Sequence, residues 1–288
     1  MQIKANGITL ECNRHGDPAQ PALILIRGLG SQLVHWPDEL IQGFVARGYH
    51  VITFDNRDIG LSQRCPAPGV TGQAQDILDQ IASGDTPRAA YTLADMARDV
   101  IGLMDALSIH RAHVFGISMG GAITQVLAID HADRLHSATI VMSAARLADP
   151  SALPMLLSHP RDRADFIANA LTEDANWGSP GYPATPDYLR DQAARAWDRG
   201  APADGVNRQL LATITAPDRR AALERIALPC LVIHGVQDAL IPVEAGRDIA
   251  HRIPDADLQL IEGMGHVITP ALAPIIVDLV SDFFSRRA

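Results

Sequence analysis

Two patterns alternate along the chain. Short continuous apolar runs recur at Ala22–Ile26, His50–Phe54, Ala112–Phe115, Leu135–Met142, Cys230–His234 and Asp257–Ile261. Runs of this length and composition read as strands covered on both faces. Between them lie segments of helical period. Trp36–Arg47 has Pro37 near its start and Gly48 after its end, the usual helix punctuation. Thr92 and Asp95 form a capping box ahead of Leu93, Met96, Ala97, Val100, Leu103, Met104 and Leu107 at helical spacing. Gly121–Ala128, Val243–Arg252 and a last segment from Leu272 to Phe284 complete the predicted helices. Asn6-Gly7 between Gln2–Ala5 and Ile8–Cys12 predicts a hairpin with a type I′ turn. Strand following helix following strand is the rhythm of a mostly parallel, doubly wound sheet with helices on both faces. With the hairpin, the pattern counts eight strands.

The rhythm breaks twice. From Gln63 to Ala90 the chain is rich in Pro, Gly, Gln and Asp, which predicts a long mobile loop with a turn or two of helix around Ala74–Ile81. From Ala144 to about Ala222 prolines recur, with Trp177, Tyr182, Tyr188 and Trp197 among them. This stretch predicts short helices and loops laid over the sheet, with Asp187–Arg199 its clearest helix. The expected organisation is a core of residues 1–144 and 223–288 carrying a helical cap insertion at 145–222.

Composition narrows the class. The chain has 288 residues, 47% of them hydrophobic, and a net charge of −9. It can bury a sizeable core, and the negative balance disfavours nucleic acid or an anionic membrane as partner. Cys12, Cys65 and Cys230 are scattered and odd in number, so no disulfide framework or zinc site is expected, and a reducing compartment fits better. The N-terminal residues lack the apolar stretch of a signal peptide, and no apolar run nears the ~20 residues of a membrane helix. A cytoplasmic protein is expected, acting on a small molecule without metal or cofactor; the oligomeric state is not legible.

The chemistry is carried by Gly116-Ile117-Ser118-Met119-Gly120, set between a strand and a helix. This is the nucleophile-elbow pattern, in which a strained serine stands clear of the sheet and glycines remove the Cβ atoms that would clash. Met119 begins the helix, so its N–H is unpaired beside the serine. A serine nucleophile needs a base and a group that orients the base. Asp238 lies three residues past Gly235, at the end of one strand, and His266 follows Gly263-Met264-Gly265 after the next. Both fall on the rim that carries Ser118, in the chain order Ser, Asp, His. Asp149 is the alternative acid. The second oxyanion donor is expected at Leu29 N–H in Arg27-Gly28-Leu29-Gly30, beside Met119 N–H; the plainer reading makes these glycines a turn only.

On Gly116–Gly120, His234-Gly235-x-x-Asp238 and Gly263–His266 the chain resembles the α/β-hydrolases over nearly its whole length. The runs Trp36–Glu39, Asp55–Ser62 and Gly178–Pro183 are similar to the esterase branch that includes aclacinomycin methylesterase. The resemblance implies an α/β-hydrolase fold and cofactor-free hydrolysis of a small or medium-sized ester by Ser118, Asp238 and His266, with substrate choice set by the insertion. A C–C hydrolase, lactonase or perhydrolase with the same triad is the alternative, and a non-catalytic binding protein of the same fold is the other. Many relatives carry His-Gly where this chain has Arg27-Gly28. Arg27 is expected to pair with a buried carboxylate and hold its loop, the alternative being a positive charge placed near an anionic substrate or the developing oxyanion. Asp55 and Arg57 are expected to serve turn chemistry and a local ion pair, and His234 to pack at its strand end. Gly28, Trp177 and Tyr182 are the candidate substrate contacts.

Overall fold

Asn6 and Gly7 take φ of 49° and 79°, the paired positive angles of a type I′ turn, so β1 (Gln2–Ala5) folds back on β2 (Ile8–His15). The strand β2 runs three residues beyond the expected Cys12, because Cys12–His15 pair with β4 (His50–Phe54). The computed structural model describes residues 1–146 and 156–287; Asp149, the alternative acid, lies outside the described residues.

The remaining strands are β3 (Ala22–Ile26), β5 (Ala112–Ile117), β6 (Leu135–Val141), β7 (Cys230–Gly235) and β8 (Asp257–Ile261). They form one sheet of eight, in the order β1-β2-β4-β3-β5-β6-β7-β8. The β1–β2 and β2–β4 pairs are antiparallel and all others parallel. Helices α1 (Asp38–Ala46), α2 (Ala74–Ala82), α3 (Leu93–Ala106) and α4 (Met119–Asp130) precede β6. The segment between β6 and β7 holds α5 (Arg163–Trp177), α6 (Pro186–Asp198), α7 (Ala203–Ile214) and α8 (Arg220–Leu223). Helix α9 (Val243–Arg252) joins β7 to β8, and α10 (Ala273–Arg287) ends the chain.

The period of two in the strands sorts their side chains onto two cores. Ile24, Ile26, Val114 and Val232 face one core with α3 and α4, where Met96, Val100, Leu103 and Ile123 are buried. Leu23, Leu25, Phe115 and Ile233 face the other, with Phe44 of α1 and Ile276, Val280 and Phe283 of α10. Each large side chain so buried contributes on the order of 1.5–3 kcal/mol. The capping box starts α3 as predicted: Asp95 N–H donates to Thr92 Oγ1 at 3.1 Å and Thr92 N–H to Asp95 Oδ2 at 2.8 Å.

The turn or two of helix expected around Ala74–Ile81 is present as α2, seated by Ile77 against Leu157, Leu210 and Leu211. One segment differs from the sequence reading. The β6–β7 segment holds helices of 15, 13 and 12 residues in place of short ones. Helix α5 buries none of its residues fully; its apolar positions Phe166, Ala170 and Trp177 face the cavity rather than a packed core. No helix among the described residues is long and apolar enough to cross a membrane.

Candidate active site

β5 ends at Ile117 and α4 begins at Met119, so Ser118 alone makes the turn, at φ 55° and ψ −119°. Such an angle costs a non-glycine residue on the order of 1–3 kcal/mol and persists only where the surroundings hold it. They do so here through backbone contact. A Cβ on Gly116 would stand 2.1 Å from Gly120 O, and one on Gly120 would stand 2.1 Å from Ile26 O at the end of β3. Ser118 N–H donates to Val141 O at 3.0 Å, and Ser143 Oγ–H donates to Ser118 O at 2.8 Å.

The imidazole of His266 stands between the hydroxyl and the carboxylate. Its Nε2 is 3.0 Å from Ser118 Oγ, and its Nδ1 is 2.7 Å from Asp238 Oδ2. The other carboxylate oxygen accepts from Leu240 N–H at 2.9 Å and Ile241 N–H at 2.8 Å. Burial by itself pushes the Asp238 carboxyl up. The neighbouring His234 N–H, the bond and charge of His266 and the Ile241 amide outweigh it and hold Asp238 well below the usual carboxylate range. His234 is fully buried at the end of β7, as expected for a packed strand-end residue. Its Nε2–H donates to Ile241 O at 2.9 Å, with Asp238 Oδ2 3.5 Å away.

The loop that carries His266 is held from the β6–β7 segment, which the sequence reading missed. His266 N–H donates to Trp177 O at 2.7 Å and Gly265 N–H to Ser179 Oγ at 3.0 Å. Ser179 Oγ–H donates onward to Val267 O at 2.6 Å. Gly181 N–H donates to Gly263 O at 2.8 Å. A Cβ on Gly265 would stand 2.0 Å from Gly178 O. The run Gly178–Pro183 was the available signal, since its small residues permit this approach.

The Arg27–Ser31 loop leaves β3 beside the elbow. A Cβ on Gly28 would stand 3.1 Å from Ser118 Cβ. The N–H groups of Leu29 and Met119 have no acceptor among the described residues. The loop is braced by Gly30 N–H to Gln209 Oε1 at 3.0 Å, Leu33 N–H to Asp55 Oδ1 at 2.7 Å and Asn56 Nδ2–H to Arg27 O at 3.1 Å. Asp55 and Arg57 do make turn contacts, but their ion pairs are long-range rather than local. Asp55 pairs with Arg199 at 2.6 Å and Arg57 with Asp99 at 2.6 Å. Asp58 likewise pairs with Arg208 at 2.7 Å. The β4 loop thus ties the neighbourhood of Leu29 to α6 and α7.

Arg27 departs from expectation. It pairs with no carboxylate among the described residues; its guanidinium lies 4.6 Å over the Trp36 ring, and its Nε is buried without an acceptor. The face of the Trp36 ring, itself packed edge-on to Phe115, takes the place beside the guanidinium where a carboxylate of the chain was expected.

A cavity of about 750 Å³ opens over the serine, lined by Gly28, Leu29, Ser118 and His266 from the sheet side and by Phe166, Ala170, Trp177 and Ala193 from the β6–β7 segment. Gly28 and Trp177 therefore face it. Tyr182 does not: its ring packs on the core beneath, and its carbonyl accepts from Thr269 Oγ1–H at 2.7 Å.

This arrangement can be set beside known proteins. A model of the alpha/beta hydrolase fold family matches residues 21–269. The chain belongs to that family. Among curated relatives, this α/β-hydrolase is 28% identical to a rhodomycin D methylesterase of Streptomyces peucetius, over 94% of this chain and 93% of the relative. It is 26% identical to a 3-oxoadipate enol-lactonase of Acinetobacter baylyi, over 90% and 87%. Among solved structures, an enol-lactonase from Burkholderia xenovorans superposes with a TM-score of 0.78 at 25% identity, covering 99% of this chain and all of that one.

Proposed function

We propose that this α/β-hydrolase cleaves carboxylic esters of small or medium-sized molecules through an acyl-enzyme on Ser118. The observation that carries the reading is the unbroken contact from Asp238 Oδ2 through His266 to Ser118 Oγ, at 2.7 Å and 3.0 Å. In this reading His266 Nε2 takes the hydroxyl proton as Oγ attacks the acyl carbon. The ionised Asp238 holds the proton on Nδ1 and stabilises the imidazolium as it forms. The negative charge on the carbonyl oxygen is met by the N–H groups of Leu29 and Met119, worth about 2.7–4 kcal/mol per donor by analogy with other oxyanion holes. The imidazolium then protonates the leaving alcohol. A water molecule, activated by the same imidazole, releases the acid. Residues 145–222 act as the cap that closes the cavity and selects the substrate. The relatedness to methylesterases over most of both chains supports ester hydrolysis.

A second reading keeps the same residues and changes the ester. The enol-lactonase relatives favour a lactone, whose alcohol stays tethered to the acyl-enzyme after ring opening. A fluorophosphonate probe should label wild type at Ser118 and leave Ser118→Ala unlabelled. Hydrolysis of nitrophenyl acetate should fall by about 10⁴-fold or more in that variant. Equal rates in the two proteins would remove the serine mechanism, and a panel of methyl esters and lactones would separate the two readings.

A further inference from the structure

The wall beside the nucleophile holds a cation that the proposed chemistry does not use. Arg27 lines the cavity two residues before Leu29, with its carbonyl fixed by Asn56 and its guanidinium over Trp36. Its side chain donates to no acceptor among the described residues, and Nε is buried without one. The indole N–H of Trp36 below it is also buried and unpaired.

The buried arginines elsewhere, each less exposed than Arg27, are satisfied. Arg57 pairs with Asp99, and Arg208 with Asp58 and Asp204. Arg219 has no carboxylate partner, yet it donates to Gln125 Oε1, Pro217 O and Ala144 O. Around Arg27 the groups are neutral. Burial, reinforced by Arg27 itself, pulls His35 down to about 3, and its Nδ1 accepts from Gln32 N–H at 2.8 Å. Burial pushes the Tyr188 phenol up, and its oxygen accepts from Gln192 at 3.0 Å. Burial, only partly offset by Tyr188, pulls Arg27 down to about 10, which leaves it charged at neutral pH. The cavity's carboxylates, Asp165, Glu173 and Asp174, all sit on α5; Asp165 is paired with Arg161 at 2.7 Å, and none of the three pairs with Arg27.

Arg27 is partly buried, with its Nε dry and the rest of the guanidinium on the cavity wall; a half-desolvated charge without a partner is unfavourable unless a ligand completes it. A planar guanidinium with free N–H groups matches a carboxylate. We propose that Arg27 is an anion subsite of the catalytic cavity and that the physiological substrate is an ester or lactone bearing a carboxylate close to the bond that is cleaved. This rests on the esterase reading for its chemistry. The anion's recognition does not require that chemistry, so the two are testable apart.

The first measurement is kinetic and compares matched pairs at pH 8. Monomethyl glutarate against methyl pentanoate places the charge on the acyl side; acetoxyacetate against propyl acetate places it on the alcohol side. Wild type should favour the anion in at least one pair by roughly 10- to 100-fold in kcat/KM, the range for a charge-assisted hydrogen bond. The pair that shows the preference tells which side carries the carboxylate. In Arg27→Met, which keeps packing on Trp36, the ratio within that pair should collapse toward unity, and Arg27→Lys should restore part of it. Reading a ratio within each variant cancels any general loss of activity. The second measurement needs no turnover: Ser118→Ala should bind monomethyl glutarate or acetoxyacetate by calorimetry, at least tenfold more tightly than Ser118→Ala/Arg27→Met. No preference for either anion in wild type overturns the subsite, whether or not the variants fold. A fall of both members of a pair by the same factor in Arg27→Met also overturns it and leaves Arg27 a support of the Leu29 loop. Failure of fluorophosphonate to label Ser118 overturns the esterase reading alone and leaves the binding measurement to decide on Arg27.

Discussion

The serine and the histidine reach one point by different constructions. Ser118 is placed by residues close to it in sequence, Gly116, Gly120 and Thr124, and by strand ends packed against the elbow. Every one of those contacts lies within the sheet and the helices that flank it. His266 sits on a loop past β8 whose N–H groups are answered by Trp177 and Ser179, more than 80 residues away and on the far side of β7. One group is built into the rigid core. The other is held across a seam between the sheet and the β6–β7 segment. A seam can loosen without the core unfolding, because local opening costs less than global unfolding. If the seam is where the proposed site is adjustable, perturbing the elbow should destroy fold and activity together. Perturbing the histidine loop should cost activity while the core stands.

The largest effect is expected at the elbow. In Gly120→Ala the new Cβ would lie 2.1 Å from Ile26 O, with Arg27 O at 2.7 Å. Both are main-chain atoms of a central strand end and cannot turn aside. The variant should lose upwards of about 4 kcal/mol, in the class of the most severe core substitutions. Thermal unfolding and fluorophosphonate labelling should fall together. A folded Gly120→Ala with a normal melting temperature would dissolve the comparison.

Next is the link between the two constructions. In Asp238→Asn, keeping Oδ1 on the Leu240 and Ile241 amides would turn an NH₂ toward His266 Nδ1. The imidazole would then lose its acceptor and take the wrong tautomer, at a cost of about 10⁴-fold in kcat. The pH dependence follows from the carboxyl's depressed value. Its folded-state value lies below the unfolded one, so the charged form favours the folded state. That stability is present above about pH 4, the ordinary carboxylate value, and is lost as pH falls through the folded-state value. Asp238 therefore stays ionised on mild acidification. Wild-type kcat/KM should fall on mild acidification with the slope of a single proton. A two-proton slope, or a flat profile, would remove this assignment.

The same contrast explains what the sequence disclosed. The eight strands, the Asn6-Gly7 hairpin and the elbow depend on neighbours along the chain: apolar runs, a turn dipeptide, glycines two residues either side of a serine. Asp238 and His266 were legible because each follows a recognisable strand by a few residues. What escaped were pairings between distant segments. Nothing near Arg27 in sequence reveals that its guanidinium lies over Trp36 and meets no carboxylate among the described residues. Nothing near Asp55 names Arg199. Helix α5 escaped for a different reason: its apolar positions Phe166, Ala170 and Trp177 line a cavity and share that face with Asp174, so the stripe is broken by charge. Trp177 and Tyr182 shared one expectation and part company only in space, one on the cavity and one beneath it.

The seam itself gives the two smaller effects. In Gly265→Ala a Cβ would lie 2.0 Å from Gly178 O, but here the obstacle belongs to a connecting segment that can recede. The imidazole should shift with it, lowering kcat by roughly 100-fold for a displacement near 1 Å while the melting temperature changes less than in Gly120→Ala. Ser179→Ala is gentler still, because it removes two hydrogen bonds and adds no bulk. Gly265 N–H and Val267 O would lose their partner at a buried position, at a cost of about 1–3 kcal/mol for each group left dry. Water entering from the cavity can replace part of that, so stability should fall by no more than the cost of one group. Across the seam the loop would keep only His266 N–H to Trp177 O and Gly181 N–H to Gly263 O. The expected signature is therefore split: kcat down by about tenfold, KM for a neutral ester nearly constant, and faster amide exchange at residues 263–267 while the elbow's amides stay protected. Faster exchange at both sites would mean that serine and histidine rest on one cooperative unit, and the distinction between core-built and seam-held groups would fail.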